Sequence, residues 1–543
     1  MKEAEIIVRW PDGAPERRLP AGRVRSDSLA TRFMQAGRPL NTRCGQRGNC
    51  AGCTVELLAG TFQQRDGAVI SARAEIKACQ GNVPPGTQAL LAAPARSLAV
   101  HRPQVVTTFK LGVTAAQQPL VPVTPGVCDH GLAIDVGTTT VVVALVDLLT
   151  GRIVREESAF NRQIELGDDV LTRIQLAGLA QQREALRHSI VDETLTPLIW
   201  QACAFAGIPF ERIAGAVVAG NTTMLHLLTG TDPTAMGVAP FRASFIHHRV
   251  MTAGELQLGV LPAGAPVHLL PGISAYVGAD LVAGCACTGL LNATGPSLLV
   301  DIGTNGEILL WHGGRLLVTA TAAGPAFEGG RLSRGTRAVA GAVAHVEFGR
   351  HGFPPRLRTI PGSNIVGLCG SAYVDFLAQA RSSGLLAASG RWDLAIWRVL
   401  PAAHRCEGAD GRGVRLAPAS DATIITERDV AELLQAKAAI AAGIQTLLRR
   451  AGLTPPDVQR LYLAGGFGLH LDVSHAIACG LLPGFTAAQI EVVGNTSLGG
   501  AWLALVDRSV VAEMANLGAT AAIVELNREP GFEDTFIDRM MLP

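Results

Sequence analysis

Four cysteines near the N-terminus have the side-chain type and the spacing of a metal-binding set. Cys44, Cys50 and Cys53 lie on one glycine-rich stretch, RCGQRGNCAGC, and Cys79 follows alone, twenty-five residues after Cys53. Four thiolates suit zinc, but structural zinc sites usually consist of two short C-x2-4-C pairs, one for each side of the metal. Three ligands on one loop and a distant fourth favour an iron–sulfur cluster instead. Zinc and buried thiols remain the two other interpretations.

The three-plus-one spacing resembles the cluster loop of plant-type and adrenal-type [2Fe-2S] ferredoxins, and the five-residue first gap is more similar to the adrenal type. The flanking sequence predicts two short strands, a helix and a strand that leaves the loop, at Ile6–Trp10, Arg17–Leu19, Asp27–Ala36 and Cys53–Leu58. This is the element order of the β-grasp ferredoxin fold. We therefore expect a [2Fe-2S] ferredoxin-like domain at residues 1–95.

Two later segments, AIDVGTTT and VDIGTNGEI, each consist of an apolar strand that runs into Asp-x-Gly-Thr. A tight hairpin of this kind presents backbone N–H groups and hydroxyls to phosphate oxygens, and its aspartate can hold Mg2+ through water. One such hairpin could be an ordinary turn, but two of them predict a nucleotide site. We name as the first loop Asp135, Gly137, Thr138 and Thr139, and as the second loop Asp301, Gly303, Thr304, Asn305 and Gly306.

Each loop is followed by an apolar strand that ends in a glycine turn, Ile213–Thr223 after the first and Leu461–Gly468 after the second. Two α/β halves of this design are typical of the acetate and sugar kinase, Hsp70 and actin superfamily, which has a ribonuclease H-like fold and binds its nucleotide between the halves. The interval is about 80 residues longer in the second half. We thus predict an α/β multidomain protein with duplicated actin-like ATPase halves at 131–290 and 291–543, the second with an insertion.

The chain has features that argue against other classes of nucleotide or polymer binding. It has 46 basic and 45 acidic residues and no basic run, so a nucleic-acid-binding surface is not expected. It contains no G-x-x-x-x-G-K-[ST] P-loop, and GGFG after Ala464 lacks the spacing of a Rossmann motif. Residues 96–130 include four prolines, at positions 103, 119, 122 and 125. This composition predicts a linker that lets the N-terminal domain move.

We expect the protein to be cytoplasmic, without a membrane span. Its first residues, MKEAEIIVRW, are acidic where a signal peptide has a basic region and an apolar core. The longest uncharged run, 281–300, contains glycines, an asparagine and a proline, which predict a helix, a turn and a strand. A reducing compartment keeps the other seven cysteines as thiols, and we interpret them as small buried residues.

The order of these features resembles one family over nearly the whole chain, the reductive activators of corrinoid-dependent methyltransferases. The motifs that carry the resemblance, besides the cluster loop, are GDDVLTRI at 167–174, VAGNTTMLHLLTG at 218–230, DIGTNGEI at 301–308, AAGPAFEGG at 322–330, GLCGSAYVD at 367–375, LAGGFG at 463–468 and VGNTSLGGA at 493–501. The region before the ATPase is too short for the additional middle domain that some relatives carry, so we expect that domain to be missing.

The resemblance implies ATP-dependent reduction of an inactive Co(II) corrinoid to Co(I) on a partner methyl-carrier protein. It implies that the four cysteines ligate the cluster, that both loops bind ATP with Mg2+, and that Gly465, Gly466 and Gly468 line the adenosine side. Glu328 is the candidate that orients the attacking water, or else a structural turn carboxylate. Asn221 and Thr222 line the cleft or cap a helix.

The expected partners are a corrinoid protein, an electron-donating reductase or ferredoxin, and a second copy of the chain in a homodimer, with no nucleic acid and no membrane. Two alternatives belong to other functional classes. One is a redox-regulated ATP-binding scaffold or chaperone, in which the cluster senses oxidation. The other is a cluster-bearing small-molecule kinase, although the sequence shows no clear catalytic aspartate for an acceptor pocket.

Overall fold

We analysed a computed structural model, which describes residues 4–10, 17–19, 28–36, 40, 53–71, 73–93, 107–167, 169–303, 305–349, 352–362, 364–408, 410–466 and 470–543. Four predicted site residues lie outside these ranges, namely Cys44, Cys50, Thr304 and Gly468. Within the described ranges, no helix is long and apolar enough to cross a membrane.

The N-terminal region forms a five-stranded sheet with one helix. Its elements are β1 Glu5–Arg9, β2 Arg17–Arg18, α1 Leu29–Gln35, β3 Thr54–Gly60, β4 Phe62–Gln64, β5 Val69–Ile70, β6 Ala74–Lys77, β7 Gly81–Asn82 and β8 Gln88–Ala92. The sheet order is β2-β1-β8-β3-β6, with β1 and β8 parallel and the other pairs antiparallel. Ile6 and Val8 alternate with more exposed neighbours and pack with Phe33 of α1, as a one-sided sheet requires. The predicted hairpin, helix and strand are confirmed within a few residues.

The first half is built on a six-stranded sheet. Its elements are β9 His130–Val136, β10 Thr140–Asp147, β11 Ile153–Phe160, α2 Val170–Ala177, α3 Ala180–Ile190, α4 Thr196–Ala206, β12 Ile213–Gly220, α5 Thr222–Leu228, β13 Arg249–Thr252, β14 Pro266–Leu269 and α6 Ala279–Thr288. The order is β11-β10-β9-β12-β14-β13. Every residue of β12 is buried, as expected for a central strand that is covered on both faces.

The second half contains a second six-stranded sheet and two smaller ones. Its elements are β15 Ser297–Ile302, β16 Gly306–His312, β17 Arg315–Thr321, β18 Ala342–Gly349, β19 Gly352–Thr359, β20 Gly367–Leu368, α7 Gly370–Ser382, α8 Leu394–Val399, β21 Arg405–Gly408, β22 Gly411–Arg415, β23 Ile424–Thr426, α9 Glu427–Arg450, β24 Arg460–Ala464, α10 Val473–Ala478, β25 Ile490–Gly494, α11 Thr496–Val506, α12 Ser509–Thr520, β26 Ala522–Ile523 and α13 Phe532–Arg539. The large sheet has the order β25-β24-β15-β16-β17-β26.

The two large sheets repeat one topology. In each, a meander of three antiparallel strands (β9–β11 or β15–β17) continues, beside its first strand, into two parallel strands (β12 and β14, or β24 and β25). The predicted duplication is therefore confirmed by strand order. The small sheets β18–β20 and β21–β23 lie in the chain between β17 and β24, where the second half is longer.

Helices α6 and α11 connect the halves. α6 leaves the first half and leads into β15, whereas α11 follows β25 of the second sheet and packs in the core of the first. The two helices approach closely because their contact is made of small residues: a Cβ atom at Gly500 would lie 2.2 Å from the Ala283 carbonyl oxygen, and one at Gly499 would lie 2.5 Å from the Cys287 sulfur. A larger side chain at either glycine would force the helices apart.

Candidate functional site

The first loop is a tight hairpin between β9 and β10. The Gly137 N–H donates to the Thr140 carbonyl over 3.0 Å, and a Cβ atom at Gly137 would lie 2.6 Å from that oxygen. Buried Arg173 of α2 donates to the Thr138 carbonyl over 2.6 Å. Glycine and the arginine together fix the backbone of the loop, which therefore presents its N–H groups in one orientation.

Asp135, at the end of β9, is bound by residues from the other half of the chain. Its two carboxylate oxygens accept hydrogen bonds from Asn495 Nδ2 over 2.8 Å and Ser497 Oγ over 2.7 Å. Asn495 caps α11, and its Oδ1 accepts from the Leu498 N–H over 2.9 Å. Burial raises the pKa of Asp135, while the two hydrogen bonds act in the opposite direction. No local sequence pattern indicates this pairing.

The second loop lies at the end of β15, against the turn after β24. Gly303 N–H donates to the Asn305 carbonyl over 3.0 Å. Gly465 has φ +97°, and a Cβ atom there would lie 2.6 Å from Asp301 Oδ1. Among the described residues, chain neighbours aside, no atom lies within 4 Å of the corresponding position at Gly466. The glycine turn thus brings its backbone against the aspartate of the second loop, as the predicted arrangement requires.

The loops are also joined across the halves by Glu328, which ends a short 3-10 turn at Pro325–Glu328. Thr139 Oγ1 of the first loop donates to Glu328 Oε2 over 2.6 Å. On the other side, a Cβ atom at Gly303 of the second loop would lie 3.6 Å from Glu328 Oε1. Glu328 therefore lies between the loops, in reach of both.

Asn221 combines the two roles that the sequence left open. Its Oδ1 accepts from the Met224 N–H over 3.0 Å and so caps α5, while its Nδ2 donates to Thr138 Oγ1 of the first loop over 2.9 Å. The Thr222 hydroxyl donates to the Ser274 carbonyl over 2.7 Å, which ties α5 to the segment before α6.

Four carboxyl groups gather where the loops meet, with Asp135, Asp280 and Asp301 half-buried and Glu307 buried, and the sequence analysis missed Asp280 and Glu307. Burial, with repulsion from Asp135 as a smaller cause, raises the pKa of Asp280 to about 7. Burial and repulsion from Asp280, Asp135 and Glu328 raise the pKa of Asp301 to about 7. The pKa of Glu307 is raised well above its usual range, again mainly by burial. Two signals were available in the sequence: an aspartate in the first turn of an apolar helix, and an acid directly after the second loop.

Such a cluster favours a bound cation, because a divalent ion offsets both burial and mutual repulsion. In the described part of the chain, however, no three histidine, cysteine, aspartate or glutamate side chains are grouped so that they could hold a metal ion directly. The arrangement fits an ion that is held partly through water and phosphate oxygens, as Mg2+ usually is.

Cys53 and Cys79 of the N-terminal region lie at the same end of the β3–β6 strand pair. The register of β3 and β6 pairs Thr54 with Lys77, and the Ala78 N–H donates to the Cys53 carbonyl over 3.1 Å. Both cysteines are fully buried, and Gln80 Nε2 donates to Cys79 Sγ over 3.2 Å. Two of the four predicted ligands are therefore neighbours, whereas the other two lie outside the described residues.

The remaining cysteines are mostly packing residues, as predicted. Buried members of this set are Cys203, Cys285, Cys287, Cys369 and Cys479, and partly exposed ones are Cys128 and Cys406. Burial raises the pKa of Cys285 and Cys287 to about 12, so both stay as uncharged thiols at neutral pH.

Comparison with known proteins gives matches over most of the chain. A family model described as the C-terminal domain of RACo, the ASKHA domain, matches residues 295–543, and one described as the RACo middle region matches residues 130–293. The corrinoid activation enzyme RamQ of Eubacterium limosum is 31% identical over 435 residues, which cover 76% of this chain and 70% of that protein. The chain belongs to the RACo family.

Two further similar proteins agree with this assignment. The [Co(II) methylated amine-specific corrinoid protein] reductase of Methanosarcina barkeri is 26% identical over 397 residues, which cover 68% of each chain. The solved structure of a reductive activator for corrinoid, iron-sulfur protein is 28% identical, superposes with a TM-score of 0.71 and covers 100% of this chain and 98% of its own.

The RACo match corrects one expectation. We expected the family's middle domain to be missing, because residues 96–130 are too few to form it. The RACo middle region instead matches residues 130–293, the part that carries the first loop and the first six-stranded sheet. The ASKHA match at 295–543 begins just before β15 and contains the second loop.

Proposed function

We propose that this RACo-family protein is an ATP-dependent reductive activator, which uses an electron from a [2Fe-2S] cluster to convert Co(II) to Co(I) in a partner corrinoid protein. The observation that carries the proposal is the junction of the two loops: Asp135 and Asp301 lie in one half-buried acidic cluster to which residues from both halves contribute. The names of the relatives, which are corrinoid activation and reductase enzymes, agree with this chemistry.

The nucleotide is proposed to bind between the loops. Backbone N–H groups of both loops would hold the phosphates, Asp135 and Asp301 would hold Mg2+ through water, and Gly465, Gly466 and Gly468 would line the adenosine. Mg2+, when bound, neutralises phosphate charge during hydrolysis. Glu328 lies between the loops and is proposed to orient the attacking water, a role that requires its bond to Thr139 to open when nucleotide enters.

The N-terminal region is proposed to be a β-grasp ferredoxin-like domain that holds the cluster on Cys44, Cys50, Cys53 and Cys79. Its sheet order and the adjacent buried positions of Cys53 and Cys79 support this proposal, because one ligand from the loop and the distant fourth must meet. Such a cluster, when bound, supplies single electrons at a potential of roughly −400 mV in plant-type ferredoxins.

ATP is needed because this electron is delivered uphill. Co(I) forms only at a similar or lower potential, and each 100 mV costs about 2.3 kcal/mol per electron. A carrier alone would therefore leave mostly Co(II). Closure of the nucleotide cleft on the corrinoid protein is proposed to change the cobalt environment, and opening after hydrolysis would release the reduced partner.

Three further parts of the proposal concern the surroundings of the reaction. The cluster is re-reduced by a reductase or ferredoxin, the chain forms a homodimer, and the compartment is the cytoplasm, where thiols stay reduced. No role is proposed for nucleic acid or a membrane.

The proposal is tested by anaerobic mixing of protein, reductant, Mg-ATP and a candidate corrinoid protein, with the cobalt spectrum as the readout. Asp135→Asn and Asp301→Asn should keep the visible spectrum of the iron–sulfur domain but fail to produce Co(I). Cys79→Ser should lose electron delivery and keep basal ATPase activity. Asp534 is exposed and distant in sequence from both loops, so Asp534→Asn, which removes the same charge, should behave like the unmodified protein.

Two results would contradict the proposal. If the Asp135 and Asp301 variants reduced the corrinoid as fast as the unmodified protein, ATP would be incidental. If the purified protein contained stoichiometric zinc instead of about two irons and two sulfides per chain, the cluster assignment would be wrong.

A further inference from the structure

The segment that follows the N-terminal region is bound along α11 instead of forming a free linker. Phe109 pairs with Gly494 in an antiparallel bridge, and the Lys110 N–H donates to the Val493 carbonyl over 3.0 Å. Further along, the Leu120 N–H donates to the Leu505 carbonyl over 2.9 Å. We call residues 107–120 the strap. It runs from the end of β25 to the end of α11, and in between the Gly112 N–H donates to the Cys287 carbonyl of α6 over 2.8 Å, so its path depends on the positions of both helices.

The strap fits closely at its start. A Cβ atom at Gly494, which has φ +77°, would lie 2.2 Å from the Thr108 carbonyl oxygen. The Phe109 ring packs on Trp502 of α11 with 6.0 Å between ring centroids. A Cβ atom at Gly499 would lie 2.9 Å from the Phe109 ring. Only glycine at these positions permits the contact.

One residue connects the strap to the nucleotide cleft. The Asn495 main-chain N–H donates to the Thr108 carbonyl over 3.0 Å, while the Asn495 side chain donates to Asp135 over 2.8 Å. The same residue thus holds the aspartate of the first loop and the start of the strap. Between the strap and the N-terminal sheet there are only residues 94–106.

We propose that Asn495 is a positioning residue that couples occupation of the nucleotide cleft to the strap, and through it to the attachment point of the N-terminal domain. The inference rests on the proposed function for the nucleotide site. It adds the route by which ATP binding reaches the electron-carrying domain.

The direction of the coupling follows from linkage. Bound Mg-nucleotide favours states in which Asp135 is in place, and Asp135 is bonded to Asn495. Any local opening that lifts the strap and displaces Asn495 is therefore suppressed by nucleotide. By reciprocity, a change that lifts the strap weakens nucleotide binding by the same factor.

The test is hydrogen exchange of the full-length protein, measured on peptides that cover 107–113, with and without Mg2+ and a non-hydrolysable ATP analogue. We expect nucleotide to slow exchange there by about fivefold or more. Gly494→Ala should exchange fast in both conditions, because the new methyl group displaces the Thr108 carbonyl. Gly452→Ala is the matched control: it has φ +70°, but no atom of the residues that the structure describes lies within 4 Å of its Cβ position.

A second pair of variants acts on the strap without touching the cleft. Lys110→Pro removes the N–H that bonds Val493, and Lys110→Ala keeps it. We expect the proline variant alone to lose the nucleotide effect on exchange.

Peptides that cover the second loop report nucleotide binding separately. If nucleotide slows exchange at the second loop but not at 107–113, or if Gly494→Ala and Lys110→Pro keep the full effect, the coupling is refuted. If nucleotide slows exchange at neither place, the proposed nucleotide site itself fails, and the inference falls with it.

Discussion

The Asp280→Asn substitution should have opposite effects on the protein with and without nucleotide. Asp280 lies in the first turn of α6, half-buried and close enough to Asp135 and Asp301 for the charges to repel one another. Without a cation, its charge is unfavourable in the folded state, and asparagine has the same shape without that charge. With Mg-nucleotide bound, the same charge helps to hold the cation, so its removal should weaken binding.

The magnitude follows from the pKa. Burial raises the pKa of Asp280 from 3.8 to about 7, which corresponds to about 4 kcal/mol at 1.36 kcal/mol for each pH unit. Because Asp280 is only half-buried and solvent screens part of its charge, we expect about half of this, on the order of 2 kcal/mol, from one substitution. A gain of that size at pH 8 raises the Tm of a large domain by a few degrees.

The pH dependence has a defined sign. Because the folded-state pKa is above 3.8, the bound proton stabilises the fold fully below pH 3.8, and this stabilisation is lost as pH rises to about 7. Unmodified protein without nucleotide should therefore lose stability across this window. The Asp280→Asn variant should lose less, and the two proteins should converge towards pH 4.

The assay is thermal unfolding between pH 4 and 8, with and without Mg2+ and an ATP analogue. At a hundredfold excess over Kd, ligand stabilises the unmodified protein by about 2.7 kcal/mol, and the variant should show a smaller increase. Exposed Asp534→Asn is the control. A lower Tm of Asp280→Asn at pH 8 without nucleotide would refute the burial argument, and an unchanged nucleotide effect would place Asp280 outside the site.

Three other substitutions test single contacts. Gly465→Ala should abolish nucleotide binding measured by calorimetry, because its methyl group would meet Asp301 Oδ1 at 2.6 Å. Gly314→Ala, in the turn between β16 and β17 at φ +75° with no described atom within 4 Å of its Cβ position, should bind normally, and equal affinities of the two variants would contradict the loop geometry. Arg173→Lys should weaken nucleotide binding about tenfold in the same assay, although the positive charge is kept. Lysine lacks the planar guanidinium group that donates to the first loop, and an unchanged affinity would refute this role. Lys437→Met should speed carboxypeptidase digestion, because the buried ammonium group of Lys437 donates hydrogen bonds to two main-chain carbonyls near the C-terminus. The Tm should stay within a few degrees of that of the unmodified protein, and an unchanged rate of digestion would contradict this role.

Features that depend on local pattern were predictable from the sequence. The capping box of Thr426 and Asp429 marks the start of α9, and the structure contains both of its hydrogen bonds. The run 281–300 forms the predicted helix, turn and strand. The two loops were recognisable because apolar residues, aspartate and glycine follow one another within a few positions.

Contacts between distant parts of the chain could not be predicted in this way. Asp135 and its partner Asn495 are 360 positions apart, and Thr139 and Glu328 are 189 apart. Such pairs arise only when the two sheets fold against each other, and one sequence carries no signal for them. The prolines of residues 96–130 also suggested a free linker, whereas the main-chain bonds of the strap to α11 have no local pattern.

The strap sets a limit on how far the N-terminal domain can travel. Thirteen residues, 94–106, separate the N-terminal sheet from the first bound residue, and a fully extended chain of that length spans about 45 Å. If the whole stretch 94–130 were free, the reach would be about 130 Å. The volume within full reach is therefore smaller by roughly twentyfold, and the local concentration of the domain near the ATPase, which falls as the −3/2 power of tether length, is higher by about fivefold. A corrinoid protein that receives the electron must dock within that radius.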